Sequence, residues 1–248
     1  FLYVARTRAG APLWLALIGG GVLLAVDLMF VAANLTKLVH GAWLPLLIAI
    51  CAFTVMTTWQ RGRQIVTRAR EQAEGPMREF IDGLSTHQRP LVRLPGTAVF
   101  LNRGGDTAPL AMRANVEHNH VLAEHVVIMT LTTEPVPRIP DSERITIDAL
   151  GDPDDGIVHA VARVGYLQRA NVPRALQLLD SEQTEGTLDL ERATFFLSKL
   201  ELCQGDSPTM AAWRKRLFIA TSHITADAAA YFGLPLDRTV IIGSRLQI

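Results

Sequence analysis

The chain has 248 residues, of which 49% are hydrophobic and only 19% are charged, and its 24 basic and 24 acidic side chains cancel. Because soluble domains carry about 25% charged residues, part of this chain is expected to lie outside water. Its 18 Gly, 13 Pro and 2 Cys exclude collagen-like chains, low-complexity chains and disulfide scaffolds.

The zero net charge conceals two regions of opposite sign. Residues 1–70 hold seven basic side chains and one acid, a net charge of +6, and the rest of the chain has a net charge of −6. Such an asymmetry between segments is typical of membrane contact. The negative charge of the second region disfavours nucleic-acid binding, so we expect no nucleic acid among its partners.

Two apolar runs are long enough to cross a membrane. The first covers about residues 12–35 with a single charge, and the second covers about 41–59 with none. At a rise of 1.5 Å per residue the shorter run covers about 28 Å, close to the hydrocarbon thickness of about 30 Å. The short connection allows only a tight turn, so we predict a membrane α-helical hairpin within residues 1–62. A signal peptide is disfavoured, since the first run contains Asp27 and a second run follows it.

The arginines predict the orientation of this hairpin. Two of them, Arg6 and Arg8, precede the first run, and four more follow the second: Arg61, Arg63, Arg68 and Arg70. The positive-inside rule assigns both outer ends, and all residues after about 60, to the cytoplasm. We predict that the four later arginines contact the inner leaflet.

Three polar residues are the candidate functional groups of the membrane region: Asp27, Asn34 and Lys37. An acid in mid-span is costly to bury and is therefore a functional hypothesis by default. At 100° per residue Asp27 shares a narrow stripe with Gly20 and Asn34, so the stripe is expected to face protein. Two interpretations stay open: proton or cation handling, and a structural group bonded to neighbouring helices.

Residues 63–89 form a predicted juxtamembrane linker. From residue 64 to residue 84 its apolar positions recur at spacings of three and four, which indicates an amphipathic helix interrupted at Gly75 and Pro76. Its basic start suits a helix on an anionic leaflet. Packing on the following domain is a compatible alternative.

The pattern of residues 90–248 predicts a cytosolic α/β domain with a mixed sheet. This segment is large enough for its own hydrophobic core. The turn at residues 151–156 predicts a hairpin of the third and fourth strands. Strands are expected at residues 97–102, 126–133, 144–150, 157–165, 193–202 and 239–246. Helices are expected at residues 109–122, 172–180 and 209–232.

This domain shows little catalytic chemistry. It lacks G-x-S-x-G, G-x-x-x-x-G-K-[ST], H-E-x-x-H and C-x-x-C. Its best metal candidates are His118, His120 and His125, but their spacing does not place two ligands on one helix face. We expect solvated or capping histidines there, and a solvated face for Arg214-Lys215-Arg216. We therefore predict no catalytic residues, no metal site and no enzyme.

Several motifs follow one another in the order of a known family. Residues 26–63 contain the acid, an ANLTK turn, a G-x-W-x-P helix start and a W-x-R-G-R helix end. These residues resemble the last two transmembrane helices of the Kup potassium transporters of bacteria, which are related to the HAK/KUP/KT carriers. At Lys199 and Leu200 the chain departs from the family, which tends to have Arg and Glu there. Further segments match at RLPGTAVFLN (93–102), HNHVLAEHVVIMTLTTEPVPRIP (118–140), VARVGY (161–166), VPRAL (172–176) and YFGLP (231–235).

The resemblance implies a secondary transporter of the bacterial inner membrane that imports K⁺ by symport with H⁺. Its core of ten helices in two inverted repeats would precede Phe1 and would hold the ion ligands, so ion binding is expected outside this chain. The chain would supply the last two helices and a structural or regulatory cytosolic domain. Expected partners are membrane lipid and the preceding core helices of the same protein. No resident cofactor is expected, and a homodimer and a nucleotide effector of the cytosolic domain are left open.

A second hypothesis is a two-helix membrane anchor that carries a cytosolic sensing or interaction module. The residues encoded before Phe1 would distinguish the carrier from the membrane-anchored module. Further apolar segments of about 20 residues each favour the carrier. An initiator Met within a few codons favours the anchor.

Overall fold

The computed structural model describes residues 12–35, 41, 43–84, 91–150, 155–179, 188–203, 205, 209–222 and 228–247. The chain divides into two compact units, Phe1–Thr58 and Trp59–Ile248. Arg6, Arg8, Lys37 and the turn at 151–154 lie outside the described residues.

The two apolar runs form the helices α1 (Leu13–Leu35) and α2 (Trp43–Glu74). Both are long and apolar enough to cross a membrane. Large apolar side chains such as Leu24, Phe30 and Phe53 are exposed. A helix that is apolar around its circumference suits a bilayer or neighbouring helices better than water. The prediction of two membrane helices is confirmed at the level of candidate spans.

Helix α2 continues well beyond the apolar run and ends at a glycine. Gly75 has φ +63°, the left-handed conformation that glycine adopts without a Cβ penalty. Its N–H donates to the Glu71 carbonyl over 3.0 Å. Helix α3 (Met77–Leu84) follows, with Met77 and Ile81 buried. The predicted interruption at Gly75 and Pro76 is confirmed, and the packing of α3 agrees with the alternative given for the linker.

The second unit contains a six-stranded mixed sheet in the order β3-β4-β2-β1-β5-β6. The β3–β4 pair is antiparallel, which confirms the hairpin, and all other pairs are parallel. The mixed α/β fold is therefore confirmed. The strands are β1 (Val92–Asn102), β2 (Val121–Glu134), β3 (Ile145–Ala149), β4 (Ile157–Gly165), β5 (Thr194–Cys203) and β6 (Thr239–Gln247).

Strands β1 and β2 each begin five residues before their predicted starts. Pro95 and Gly96 read as a break in the sequence, but β1 passes through them with a register shift between Leu94 and Thr97. Gly96 has φ +116°, so this irregularity uses a conformation that other residues rarely adopt. The first five residues of β1 are exposed, which explains why no buried run marked them.

The predicted helices are shorter or divided in the structure. The helix predicted at 109–122 is wrong beyond Ala114: α4 (Leu110–Ala114) passes into a π-helical segment, Asn115–Asn119, and His120 then adopts φ 54°. Helix α5 spans Val172–Leu176, and Asn171 caps it by accepting from the Arg174 N–H over 2.8 Å. The helix predicted at 209–232 is seen as α6 (Ala212–Ser222) and α7 (Ala228–Tyr231), and residues 223–227 are outside the described part.

Buried side chains cover both faces of the sheet. On β1, Val99 belongs to the cluster that includes Val172 of α5 and Ala229 of α7. Its neighbour Phe100 belongs to the cluster that includes Met77 of α3 and Met112 of α4. Because successive strand residues point to opposite faces, helices on both sides make this a doubly wound domain.

Candidate functional site

The polar residues of α1 lie on one side of that helix. Gly20, Asp27 and Asn34 are spaced by seven, close to two helical turns. Asn34 Nδ2 donates to the Phe30 carbonyl over 2.8 Å, so its amide has a partner within the helix. Asp27 is exposed in the described unit. The functional role of Asp27, Asn34 and Lys37 stays a prediction.

The four arginines after the apolar run fall into two groups. Arg61, Arg63 and Arg68 are exposed on α2. Arg70 has a side chain only 14% exposed, and its Nε donates to Glu74 Oε1 over 2.5 Å. Its Nη2 also donates to Ser198 Oγ on β5 over 3.2 Å. Arg70 is therefore held inside the domain, and only the other three remain in the leaflet contact proposed below.

Glu74 is the centre of a buried polar cluster at the end of α2. The residue is 2% exposed, and its second carboxylate oxygen accepts from Thr107 Oγ1 over 2.6 Å. Its backbone carbonyl accepts from Arg113 Nη2 over 2.7 Å. A buried carboxylate is tolerated only when it is paired and hydrogen-bonded, as it is here. This cluster was not predicted from the sequence, although Arg70 and Glu74 have the i, i+4 spacing of a helical ion pair.

A cleft of about 520 Å³ opens beside Glu74 at the carboxyl end of β1. The strand order reverses between β1 and β5, and such a switch point is the usual ligand position in doubly wound sheets. The cleft is lined by both acidic side chains and arginines, so its charge alone does not indicate which ligand it would bind. The lining residues are Thr67, Arg70, Glu71, Glu74, Arg103, Gly104, Gly105, Asp106 and Thr107.

His159 on β4 is a buried histidine that the sequence did not single out. It is 4% exposed, and its Nε2 lies 3.0 Å from Thr130 Oγ1 on β2. Burial lowers the pKa of His159 below its ordinary value of 6.5, and the carboxylates of Asp148 and Asp106 oppose that shift. The imidazole is therefore neutral at neutral pH.

The predicted histidine group is dispersed over three local environments. His118 is exposed in the π-helical segment, His120 follows that segment, and His125 lies within β2. Within the described ranges no group of three or more His, Cys, Asp or Glu side chains could hold a metal ion.

The basic run on α6 is not uniformly solvated. Lys215 is 3% exposed, and its Nζ donates to the Gly205 carbonyl over 2.8 Å. The expectation of a solvated face is wrong for Lys215. Arg216 is exposed and fits that expectation, and Arg214 is half-buried.

The fold is that of a chain with two candidate membrane helices, followed in sequence by a doubly wound α/β domain. Residues 1–64 match the K⁺ potassium transporter integral membrane domain, and residues 95–248 match the K⁺ potassium transporter C-terminal domain. The chain belongs to this family of potassium transporters. Its relatives are named as transport proteins and not as enzymes.

Curated relatives match nearly the whole chain. The probable potassium transport system protein Kup of Rhodococcus jostii (strain RHA1) is 66% identical over 100% of this chain and 38% of the relative. The Kup protein of Myxococcus xanthus (strain DK1622) is 36% identical over 99% of this chain and 36% of the relative. Kup 1 of Rhodopseudomonas palustris (strain BisB18) is 37% identical over 95% and 37%. The chain thus spans less than two fifths of each of these relatives. No solved structure matches it.

Proposed function

We propose that the chain is part of a secondary active transporter that imports K⁺ by symport with H⁺ across the bacterial plasma membrane. The observation that carries the proposal is the 66% identity, along the whole chain, to a relative named as a potassium transport system protein. Helices α1 and α2 support the carrier, and the ion ligands belong to core helices outside this chain. The partners of α1 and α2 are those core helices, surrounding lipid and, in a homodimer, a second copy.

The residues after about 60 lie in the cytoplasm in this proposal. Arg61, Arg63 and Arg68 are exposed directly after the apolar run. Exposed arginines at a span end favour the side with the anionic leaflet. The same three side chains are proposed to contact headgroups of that leaflet.

The cytosolic domain is proposed to have a structural or regulatory role. Support comes from the last turn of α2, where Glu74 is bonded to Thr107 of the loop after β1 and to Arg113 of α4. A change in the conformation of this loop would therefore act on the end of α2.

The test is uptake by the complete gene in cells that lack their own potassium uptake systems. We expect growth at limiting K⁺, and uptake that falls when the proton gradient is collapsed. Failure to grow, with the protein present in the membrane, would contradict the carrier and leave the membrane-anchored module as the remaining hypothesis. Growth without dependence on the proton gradient would contradict only the symport.

A further inference from the structure

Helix α6 presents a tryptophan and an arginine on its outer face. Lys215 and Phe218 are buried on the inner face of this helix. Trp213 is 57% exposed, and Arg216, three residues further on, is exposed beside it. The Trp213 indole has a large apolar area that a partner surface could bury while its N–H stays hydrogen-bonded.

The inner face of α6 packs against the part of α2 that follows the apolar run. The ring centroids of Phe218 and Trp59 are 5.4 Å apart. A Cβ added to Gly62 would collide with ring carbons of Phe218, so the ring rests directly on the glycine. Trp59 is the last residue of the apolar run, and Gly62 lies about 4.5 Å further along the helix axis. Helix α6 therefore contacts α2 within one turn of the end of the apolar run. In the membrane orientation proposed above, that turn lies at the level where the span leaves the hydrocarbon.

The chemistry of the outer face suits that level. Tryptophan is enriched at membrane–water interfaces, where its ring is buried among headgroups and its N–H stays hydrated. Arginine is attracted to anionic phospholipid. The Arg214 guanidinium lies 5.7 Å from the centroid of the Trp213 ring, which adds positive charge beside the indole. Arg61 and Arg63, which are exposed on either side of Gly62 in α2, carry the same positive charge.

We propose that Trp213 and Arg216 form a docking surface for the anionic phospholipids of the cytoplasmic leaflet. Helix α2 already links the α/β domain to the proposed membrane span, and this surface would bind the domain to the bilayer at a second position. This inference rests on the cytoplasmic orientation given under Proposed function, but it does not depend on what the carrier transports.

Photo-crosslinking in the complete carrier tests the proposal. We would place the photoreactive residue p-benzoylphenylalanine at position 213, irradiate native membranes and identify the adducts by mass spectrometry. Phospholipid adducts are expected at position 213 and also at Ala220, an exposed residue two turns further on the same face. Arg216→Glu should lower the yield of phosphatidylglycerol adducts, and Arg216→Lys should keep it.

The matched control is Asp106, an exposed residue whose loop is bonded to the end of α2 at Glu74 through Thr107. Glu74 lies about 18 Å further along α2 than Gly62 by the helical rise. The same probe at position 106 should give no lipid adducts. Protein adducts at positions 213 and 220, or adducts with neither protein nor lipid, would overturn the docking surface. Lipid adducts in a carrier without K⁺ uptake would preserve the docking surface while contradicting the transport function.

Discussion

At the scale of single residues, two buried polar side chains join different parts of the α/β domain. Glu74 and His159 are almost fully buried, and each is bonded to a residue from another element. Neither belongs to a recognisable motif. The partners that come from other parts of the fold are distant in sequence: Thr107 lies 33 residues from Glu74, and Thr130 lies 29 residues from His159. Such contacts depend on the finished sheet, so local patterns could not predict them.

Removing the Glu74 carboxylate should strongly destabilise the domain. Glu74→Ala leaves the half-buried Arg70 without its ionic partner, and breaking a buried pair costs about 3 kcal/mol. The control is Arg78→Ala, which removes the exposed pair with Asp148 and should cost less than about 1 kcal/mol. Chemical unfolding of the full chain in detergent measures both. Equal losses of unfolding free energy in the two variants would contradict a stabilising role for the buried Glu74 cluster at the end of α2.

His159 should make the stability of the domain depend on pH. Its pKa in the folded state is lowered below 6.5, so the unfolded chain takes up the proton first as the pH falls. The stability contributed by the neutral imidazole is complete above pH 6.5 and declines from there toward the folded pKa. His159→Gln should flatten this part of the profile, and His118→Gln, at an exposed position, should not. Identical profiles for the two variants would refute the assignment.

Asp27 belongs to the structural interpretation of α1 in our account. Because α1 is proposed to lie outside the transport core, Asp27→Asn should weaken helix packing, and a loss of about 1–2 kcal/mol changes cellular abundance several-fold. Immunoblots of membranes and proton-dependent uptake, both in the complete carrier, measure the two effects. Normal abundance with lost proton dependence of uptake would instead assign Asp27 to ion coupling.

At the scale of elements, α2 joins regions that differ in composition. The sequence changes from apolar to basic after Trp59, yet the helix continues to Glu74 because no helix-breaking glycine–proline pair occurs before Gly75. A change of solvent alters which residues are favoured but does not itself end a helix. Its packing against α6 depends on one small residue, Gly62.

Gly62 offers a test with a matched control. Alanine in a helix interior is favoured over glycine by about 1 kcal/mol. Gly83→Ala, where a Cβ meets nothing within 4 Å, should therefore stabilise α3. Gly62→Ala should instead lower stability, since its Cβ would collide with Phe218. Thermal unfolding of the full chain compares the two variants, and stabilisation by both would show that α2 and α6 do not pack as described.

The sheet was predictable to the extent that its strands are buried and bounded by turns. β4 matches its predicted bounds, since turn residues lie on both sides of a largely apolar segment. The exposed start of β1 and the only partly buried start of β2 carried no such signal. The π-helical segment before β2 was predicted only as part of an ordinary helix, and apolar spacing does not distinguish the two. Within it, Asn119 Nδ2 donates to Asn115 Oδ1 over 3.0 Å.

At the scale of the whole molecule, the opposite charges of the two regions match their proposed surroundings. The region at +6 contains the candidate spans and the arginines proposed to lie beside an anionic leaflet, and the region at −6 contains the α/β domain proposed to lie in the cytoplasm. The candidate spans, the sheet and the family match agree with that division. The net charge of zero is thus the sum of two oppositely charged segments, for which different surroundings are proposed.

The most direct test of the central claim uses this chain inside a relative that shares its architecture. The Kup protein of Rhodococcus jostii aligns with the full 248 residues over 38% of its length. A chimera in which this chain replaces the aligned part should restore growth at limiting K⁺ to cells without potassium uptake, at a rate close to that of the intact relative. A chimera that reaches the membrane at normal abundance but takes up no K⁺ would contradict the assignment of this chain to a potassium carrier.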